Sequence, residues 1–259
     1  MNAVQSAFIR YLFGTLLFAP LYWQLLRSRR YPARVELHML RGAVHGVGVM
    51  LWFYAMARLP IAEVTAIGFT APIFITVGAA LFLGERLQRR RITAVAIGFV
   101  GALVILRPGV EAIQLGALAQ LGAAPLFACS MIVAKRLSHT ESSAAIVGYL
   151  SLFVSIVLAI PAMLVWRTPT PEELFWLFMT AVVATAGHYA LTKAFECADL
   201  TMLQPFTFLQ LVWAALLGFY VFNEVPDLWT WIGGAIIVGS ASYIAHREAQ
   251  LRRAQKPRA

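Results

Sequence analysis

Tyr54 to Glu85 reads YAMARLPIAEVTAIGFTAPIFITVGAALFLGE, and Lys193 to Glu224, 139 positions further on, reads KAFECADLTMLQPFTFLQLVWAALLGFYVFNE. In each, a short polar junction (Pro60 to Glu63; Asp199 to Thr201) opens an apolar run that carries one proline, Pro72 or Pro205. Each run is long enough to cross a bilayer, whose hydrocarbon takes about 20 apolar residues of helix. Each closes on an acid, in Leu83-Gly84-Glu85 and in Phe222-Asn223-Glu224. A Gly-rich apolar segment follows both, Ile97-Gly98-Phe99-Val100-Gly101 in one case and Ile232-Gly233-Gly234 to Gly239 in the other. Self-similarity at a fixed offset marks a duplicated architecture.

The surrounding chain is of the same kind. Its 259 residues are 60% hydrophobic and 13% charged, with a mean hydropathy of +0.74. A soluble domain carries about a quarter charged residues and about 45–50% apolar ones. The excess must face lipid, where unsatisfied peptide groups leave only helices or a closed barrel. Barrel strands alternate apolar and polar residues; here the apolar runs are continuous. The reading is an all-α, polytopic transmembrane helical bundle. Nine spans are predicted, at 4–26, 38–57, 62–83, 92–107, 113–134, 144–166, 174–194, 200–222 and 228–245. The connections are short and polar, and none has room for a soluble domain. Cys129 and Cys197 lie in or beside apolar runs without paired spacing, which predicts buried, inert thiols.

Net charge is +9, a value that would also suit a nucleic-acid binder. Its distribution gives another reason. With the basic tail Arg247, Arg252, Arg253, Lys256 and Arg258 cytoplasmic, counting spans backwards places the loops at 27–41, 84–91 and 135–143 on the same side. Those loops and the tail hold sixteen Lys and Arg, against three outside, Arg58, Arg107 and Arg167. That asymmetry orients membrane proteins, so no nucleic acid is needed to explain the charge. Met1 then lies outside, although the chain starts with no signal-peptide pattern.

The repeat divides the chain into a first unit at 1–108 with four spans, a second at 109–246 with five, and a tail at 247–259. Pro20 in the first predicted span matches Pro161 in the sixth, and the fifth span has no counterpart. A unit with an odd number of spans reverses direction across the membrane. The charges agree, because the loop after Glu85 is basic whereas that after Glu224 holds Asp227 and no cation. Inverted repeats are typical of secondary transporters, with the substrate site at their interface near the midplane.

Ala62-Glu63-Val64 to Pro72, the closing Gly84-Glu85-Arg86-Leu87, the Gly-rich helix that follows and the duplicated halves resemble the EamA-type transporters of the drug/metabolite transporter superfamily. The resemblance covers nearly the whole chain, through diffuse hydropathy and glycine patterns. It implies two inverted five-helix repeats with both termini cytoplasmic. This sequence departs from that pattern by one helix, the first. The expectation is that Met1 is a misassigned or alternative start, with one more helix encoded upstream.

Ionisable groups at membrane depth are costly and usually face a cavity or a partner. Arg10, two turns into the first span, could meet an anionic substrate group, or snorkel or pair for structure. The family usually has an arginine near this position. His45 follows Gly42-Ala43-Val44 on a small-residue face suited to close helix approach. His188 lies well inside the seventh span. Histidine titrates nearest neutral pH, as a proton-coupled carrier requires; the alternative is a histidine bonded to a neighbouring carbonyl. His38 and His45 share a helix face but have no carboxylate cluster beside them, so no metal site is assigned.

Trp52 and Trp213, with Tyr54, Tyr189, Phe206 and Phe208, could wall a pocket for a flat organic ligand, or simply pack or face lipid. Trp23, Trp166, Trp176, Trp229 and Trp231 fall at predicted helix ends and read as the interfacial belt. Gln204 and Gln210 flank Pro205, and Thr65 and Thr70 precede Pro72. Proline frees a carbonyl and breaks the helix ladder. In transporters such breaks present backbone polar groups to substrate; a packing kink is the other reading. Lys193 and Glu196 are expected to pair, and Glu85 and Glu224 to be solvated or ion-paired caps.

These features predict a secondary transporter that moves a small organic metabolite (an amino acid, a vitamin or a related compound) across the cytoplasmic membrane by alternating access. The expected partners are that metabolite, the lipid bilayer, protons as a candidate coupling ion and a second copy as a candidate homodimer mate. No cofactor is expected. An integral-membrane enzyme, a channel and a structural subunit are the other classes. The chain has no H-E-x-x-H, G-x-S-x-G, P-loop or paired-cysteine motif, and no ring of like charge along one helix. Arg10→Ala and His188→Ala are expected to impair transport without affecting insertion.

Overall fold

The computed structural model describes residues 1–27, 32–84, 89–106, 115–207, 209–223, 228–229, 231–236, 238–240 and 243. Every regular element among them is helical. In chain order they are α1 (Ala3–Leu17), α2 (Ala19–Arg27), α3 (Val35–Met56), α4 (Ile61–Gly68), α5 (Ala71–Leu83), α6 (Arg89–Leu106), α7 (Leu115–Leu137), α8 (Ser143–Leu164), α9 (Pro171–Cys197), α10 (Leu200–Thr207) and α11 (Leu209–Phe222). The tail and the loop acids Glu85 and Glu224 lie outside the described residues, as does Phe208.

The starts are written in the side chains. Asn2 accepts a bond from the Val4 amide at the head of α1, and Ser142 from Ala145 at the head of α8. At α9, Thr170 and Glu173 form a reciprocal capping box, with Pro171 in the first turn. Each cap satisfies amide groups that no helical carbonyl can reach.

α7, α8 and α9 are each long and apolar enough to cross a membrane alone, and α1 with α2 form a fourth such stretch bent by 51°. The bend falls at Phe18, just before Pro20, whose ring cannot follow a straight helix without meeting the carbonyl four residues back. Other predicted spans differ from a single straight helix for identifiable reasons. α3 has 22 residues but starts at Val35, so Glu36, His38 and Arg41 occupy its first two turns. Arg41 is therefore a buried helix residue rather than a loop cation. α6 opens on Arg89-Arg90-Arg91.

The stretch predicted as a single helix at 62–83 is broken at Phe69 and Thr70, which lie between α4 and α5. Between α4 and α5, the Thr70 amide and hydroxyl each donate to the Ile67 carbonyl at 3.0 Å. Pro72 starts the next helix in its first turn, where its missing N–H costs nothing. α10 begins 139 residues after α4, and α11 ends 139 residues after α5; Phe208, between α10 and α11, lies outside the described residues. Each pair also ends alike: Gly84 (φ 69°) and Asn223 (φ 54°) are left-handed. Glycine and asparagine bear that conformation at least cost.

α1 packs on α8 and α9, and α3 on α7 and α8, while α4 packs against α11 and α10 against α5. Glycines let α3 lie close to α8. A Cβ built on Gly42 would stand 2.3 Å from Phe153 Cβ, and one on Gly46 3.0 Å from Val157 Cγ1. The face of His45 predicted for close approach is thus where α3 meets α8. Large apolar side chains such as Ile160, Met163, Val183 and Tyr220 point outward, as do the five belt tryptophans. Cys129 is half-buried, but Cys197, expected to be buried, is exposed as the last residue of α9.

Candidate substrate site

The polar core of the bundle starts on α1. Arg10 and Tyr11 are adjacent and buried, and the Arg10 guanidinium lies over the Tyr11 ring, with Cζ 4.1 Å from its centroid. Such a contact is worth about 0.5–2 kcal/mol, more when desolvated. The Tyr11 hydroxyl is 2.9 Å from Nε2 of His45 on α3. The other ring nitrogen of His45, Nδ1, is 3.0 Å from the Ser130 hydroxyl on α7.

Both imidazole nitrogens are therefore engaged, each by a hydroxyl that can donate or accept. Either neutral tautomer of His45 satisfies the chain Tyr11–His45–Ser130, with the hydroxyl protons turning to suit. His188 of α9 stands edge to face on His45 at 5.6 Å between ring centroids, and Phe127 of α7 does so at 5.1 Å. Four helices thus converge on one imidazole.

Hydroxyls extend the polar lining. The Thr15 and Ser155 oxygens are 3.2 Å apart, and Ser151 and Thr185 lie beside Gly14, whose missing side chain leaves them room. The charges acting on His45 and His188, apart from each other, are those of Arg10 and Arg41. Arg41 is 4% exposed and donates from Nη1 to the Ile146 carbonyl at 2.9 Å. The cluster is aromatic and rich in hydroxyls, with the cations Arg10 and Arg41 acting on its two imidazoles.

Of the residues singled out in the sequence, Arg10, His45 and His188 come together. The others stand elsewhere. Trp52 packs edge to face on Phe53 and against the Ala55, Leu59, Val64 and Ile67 cluster. The Tyr54 ring lies under the Arg58 guanidinium at 3.5 Å. Trp213 is 66% and Tyr189 40% exposed, and Phe206 and Gln210 also face outward. A helix apolar all round gives no sign of which aromatic faces lipid. Pro72 is buried at the α4–α5 break, beside Gly68, where a Cβ would meet the Gln120 amide nitrogen at 3.0 Å. Gln204 and Pro205 lie in α10, their side chains outside the described residues. Lys193 and Glu196 pair at 3.1 Å as expected, and Glu196 also accepts from Ser143.

Tyr11, Ser130 and Arg41 went unread. A lone hydroxyl in an apolar run has no periodic signature, and Arg41 looked like the end of a basic loop.

The family model described as "EamA-like transporter family" matches residues 1–107 and again 114–245. A riboflavin transporter of Vibrio cholerae is 34% identical over 90% of this chain and 78% of its own length. An S-adenosylmethionine uptake transporter of Rickettsia bellii is 31% identical over 96% of this chain and 85% of its own. A solved crystal structure superposes with a TM-score of 0.75 over 95% of this chain and 89% of that one, at 19% identity, a likeness of fold alone.

Proposed function

The chain belongs to the EamA-like transporter family, a membrane transporter for small metabolites, and we propose that it carries a neutral or anionic, flat-ringed compound by alternating access between its two halves. The observation that carries this reading is the Arg10–Tyr11–His45–His188 cluster, contributed by α1, α3 and α9, with Ser130 of α7 completing it. Rings offer faces to a heteroaromatic solute, hydroxyls offer hydrogen bonds, and Arg10 offers a charge. Arg10 and Arg41 act on the two buried histidines and, among the described residues, no acid does, which disfavours a cationic cargo.

The halves are 1–108 and 109–246. The twofold family match and the 139-residue spacing between the starts of α4 and α10 support that division. The sixteen-to-three bias was counted with Arg41 in a loop; moving it into α3 leaves the basic excess on the same side, which supports a cytoplasmic 247–259 tail. Protons are the coupling ion of this reading.

Proteoliposome exchange with labelled riboflavin and with S-adenosylmethionine tests it. Saturable riboflavin flux that exceeds flux of the sulfonium compound is the expected outcome. Preference for the cation, or non-saturable flux of both, would sink the reading. A reporter fused after residue 245 is expected to be active in the cytoplasm.

A further inference from the structure

Among the described residues, six buried side-chain polar atoms have no hydrogen-bond partner, and four of them gather at one end of the bundle: Tyr22 Oη, His38 Nδ1, Arg41 Nε and Glu141 Oε1. That end carries the basic loops. His38, 1% exposed, sits in the first turn of α3, and its Nε2 is 2.9 Å from Oε2 of Glu141, in the turn between α7 and α8. The Tyr149 ring of α8 lies 4.8 Å from the imidazole and 6.0 Å from the Tyr22 ring of α2. Arg41 and Glu36, both on α3, also act on His38 electrostatically.

The large majority of buried side-chain polar atoms in native proteins have a partner in protein or ordered water. Four open valences around one ionisable pair therefore mark a place built for a small polar species. The donor set narrows what it is. A carboxylate opposes an anion, Arg41 opposes a metal cation, and one carboxylate with one imidazole is too few ligands for a metal. A proton with its hydrating water suits a mixed set of donors and acceptors.

We propose that His38 and Glu141 form a proton-dependent latch of this carrier, which binds a proton as this end of the bundle closes and releases it as this end opens. The inference rests on the carrier reading above. The pair ties α3, in the first half, to the α7–α8 turn in the second, so it exists only while the two halves meet here. The bound proton sits in the Nε2···Oε2 bond, on nitrogen or oxygen. When the halves part, imidazole and carboxylate separate, water enters, and the proton leaves to that water. Reclosing takes one up by the reverse transfer, with no other bond made or broken. The titratable and charged groups facing the pair are Tyr22 on α2, Glu36 and Arg41 on α3, and Tyr149 on α8.

Hydrogen–deuterium exchange of the full chain in nanodiscs at about pH 5.5 and about pH 8.5, corrected for intrinsic chemistry, tests this without a substrate. Exchange in residues 35–45 and 138–149 is expected to differ about threefold or more between the two pH values in the wild type. His38→Gln and Glu141→Gln should each flatten that difference. The double variant His38→Glu with Glu141→His, which rebuilds the pair in reverse, should recover it. A wild type without the dependence, a single variant that keeps it, or a reversed pair that stays flat overturns the proposal. Failure of the carrier reading shows separately, as absent riboflavin and S-adenosylmethionine flux while the pH dependence stands.

Discussion

Tyr11 reaches His45 with one hydroxyl, and that bond closes one side of a buried imidazole. Tyr11→Phe keeps the ring under Arg10 but leaves Nε2 unpaired, at a cost of about 1–3 kcal/mol. The expected result is a lower thermal midpoint in detergent with normal membrane insertion; an unchanged midpoint would mean that the bond contributes nothing. Arg10→Ala removes the one cation lying on the Tyr11 ring. If that guanidinium holds a substrate oxygen, the charged bond is worth about 1.5–3 kcal/mol, so riboflavin exchange should fall about tenfold or more. His188→Ala should impair exchange as well, and wild-type kinetics in both would remove them from the site. Arg10, His45 and His188 were legible because an ionisable residue in an apolar run stands out on cost alone. Their hydroxyl partners were not, since serine and tyrosine are unremarkable there.

At the scale of the helix, the glycines separate close packing from tolerance. On Gly42, an added methyl meets Phe153 Cβ at 2.3 Å and its backbone carbonyl carbon at 3.2 Å, atoms that cannot move without shifting α8. On Gly78 the clash is equally short, but with Ile132 Cδ1, the far end of a flexible side chain. Gly42→Ala should therefore cost about 1–3 kcal/mol, and Gly78→Ala clearly less. Thermal unfolding of the two purified variants reads the difference, and equal losses would show that α3 and α8 yield more readily than this packing implies. The helices were legible as long apolar runs, whereas the caps at Asn2, Ser142 and Thr170 that start three of them went unread. The break between α4 and α5 was only half legible: Pro72 marked its neighbourhood, but the apolar run continues through residues 68–70, where the Thr70 hydroxyl and amide turn onto Ile67.

For the molecule as a whole, the aromatic and histidine cluster lies between two ties of opposite ends. At one, Gln5, fully buried on α1, donates from Nε2 to the Arg167 carbonyl at 2.5 Å and accepts from the Arg167 amide at 3.2 Å. That side-chain clasp joins α1 to the segment leading into α9. At the other end, His38 and Glu141 join α3 to the turn before α8. Each tie links one proposed half to the other, and both are made at once. An alternating-access carrier must release one while keeping the other, because opening both would leave a leak. Weakening a tie lowers the cost of the state in which it is broken and leaves the opposite state unchanged. Gln5→Ala is thus expected to raise hydrogen exchange around residues 1–8 and 165–170 without raising it at 35–45, whereas Glu141→Gln should do the reverse. Losing two bonds of about 1 kcal/mol each shifts such an equilibrium about thirtyfold. Both variants loosening both ends together would mean that the ties stabilise the fold at large and do not govern access from either side.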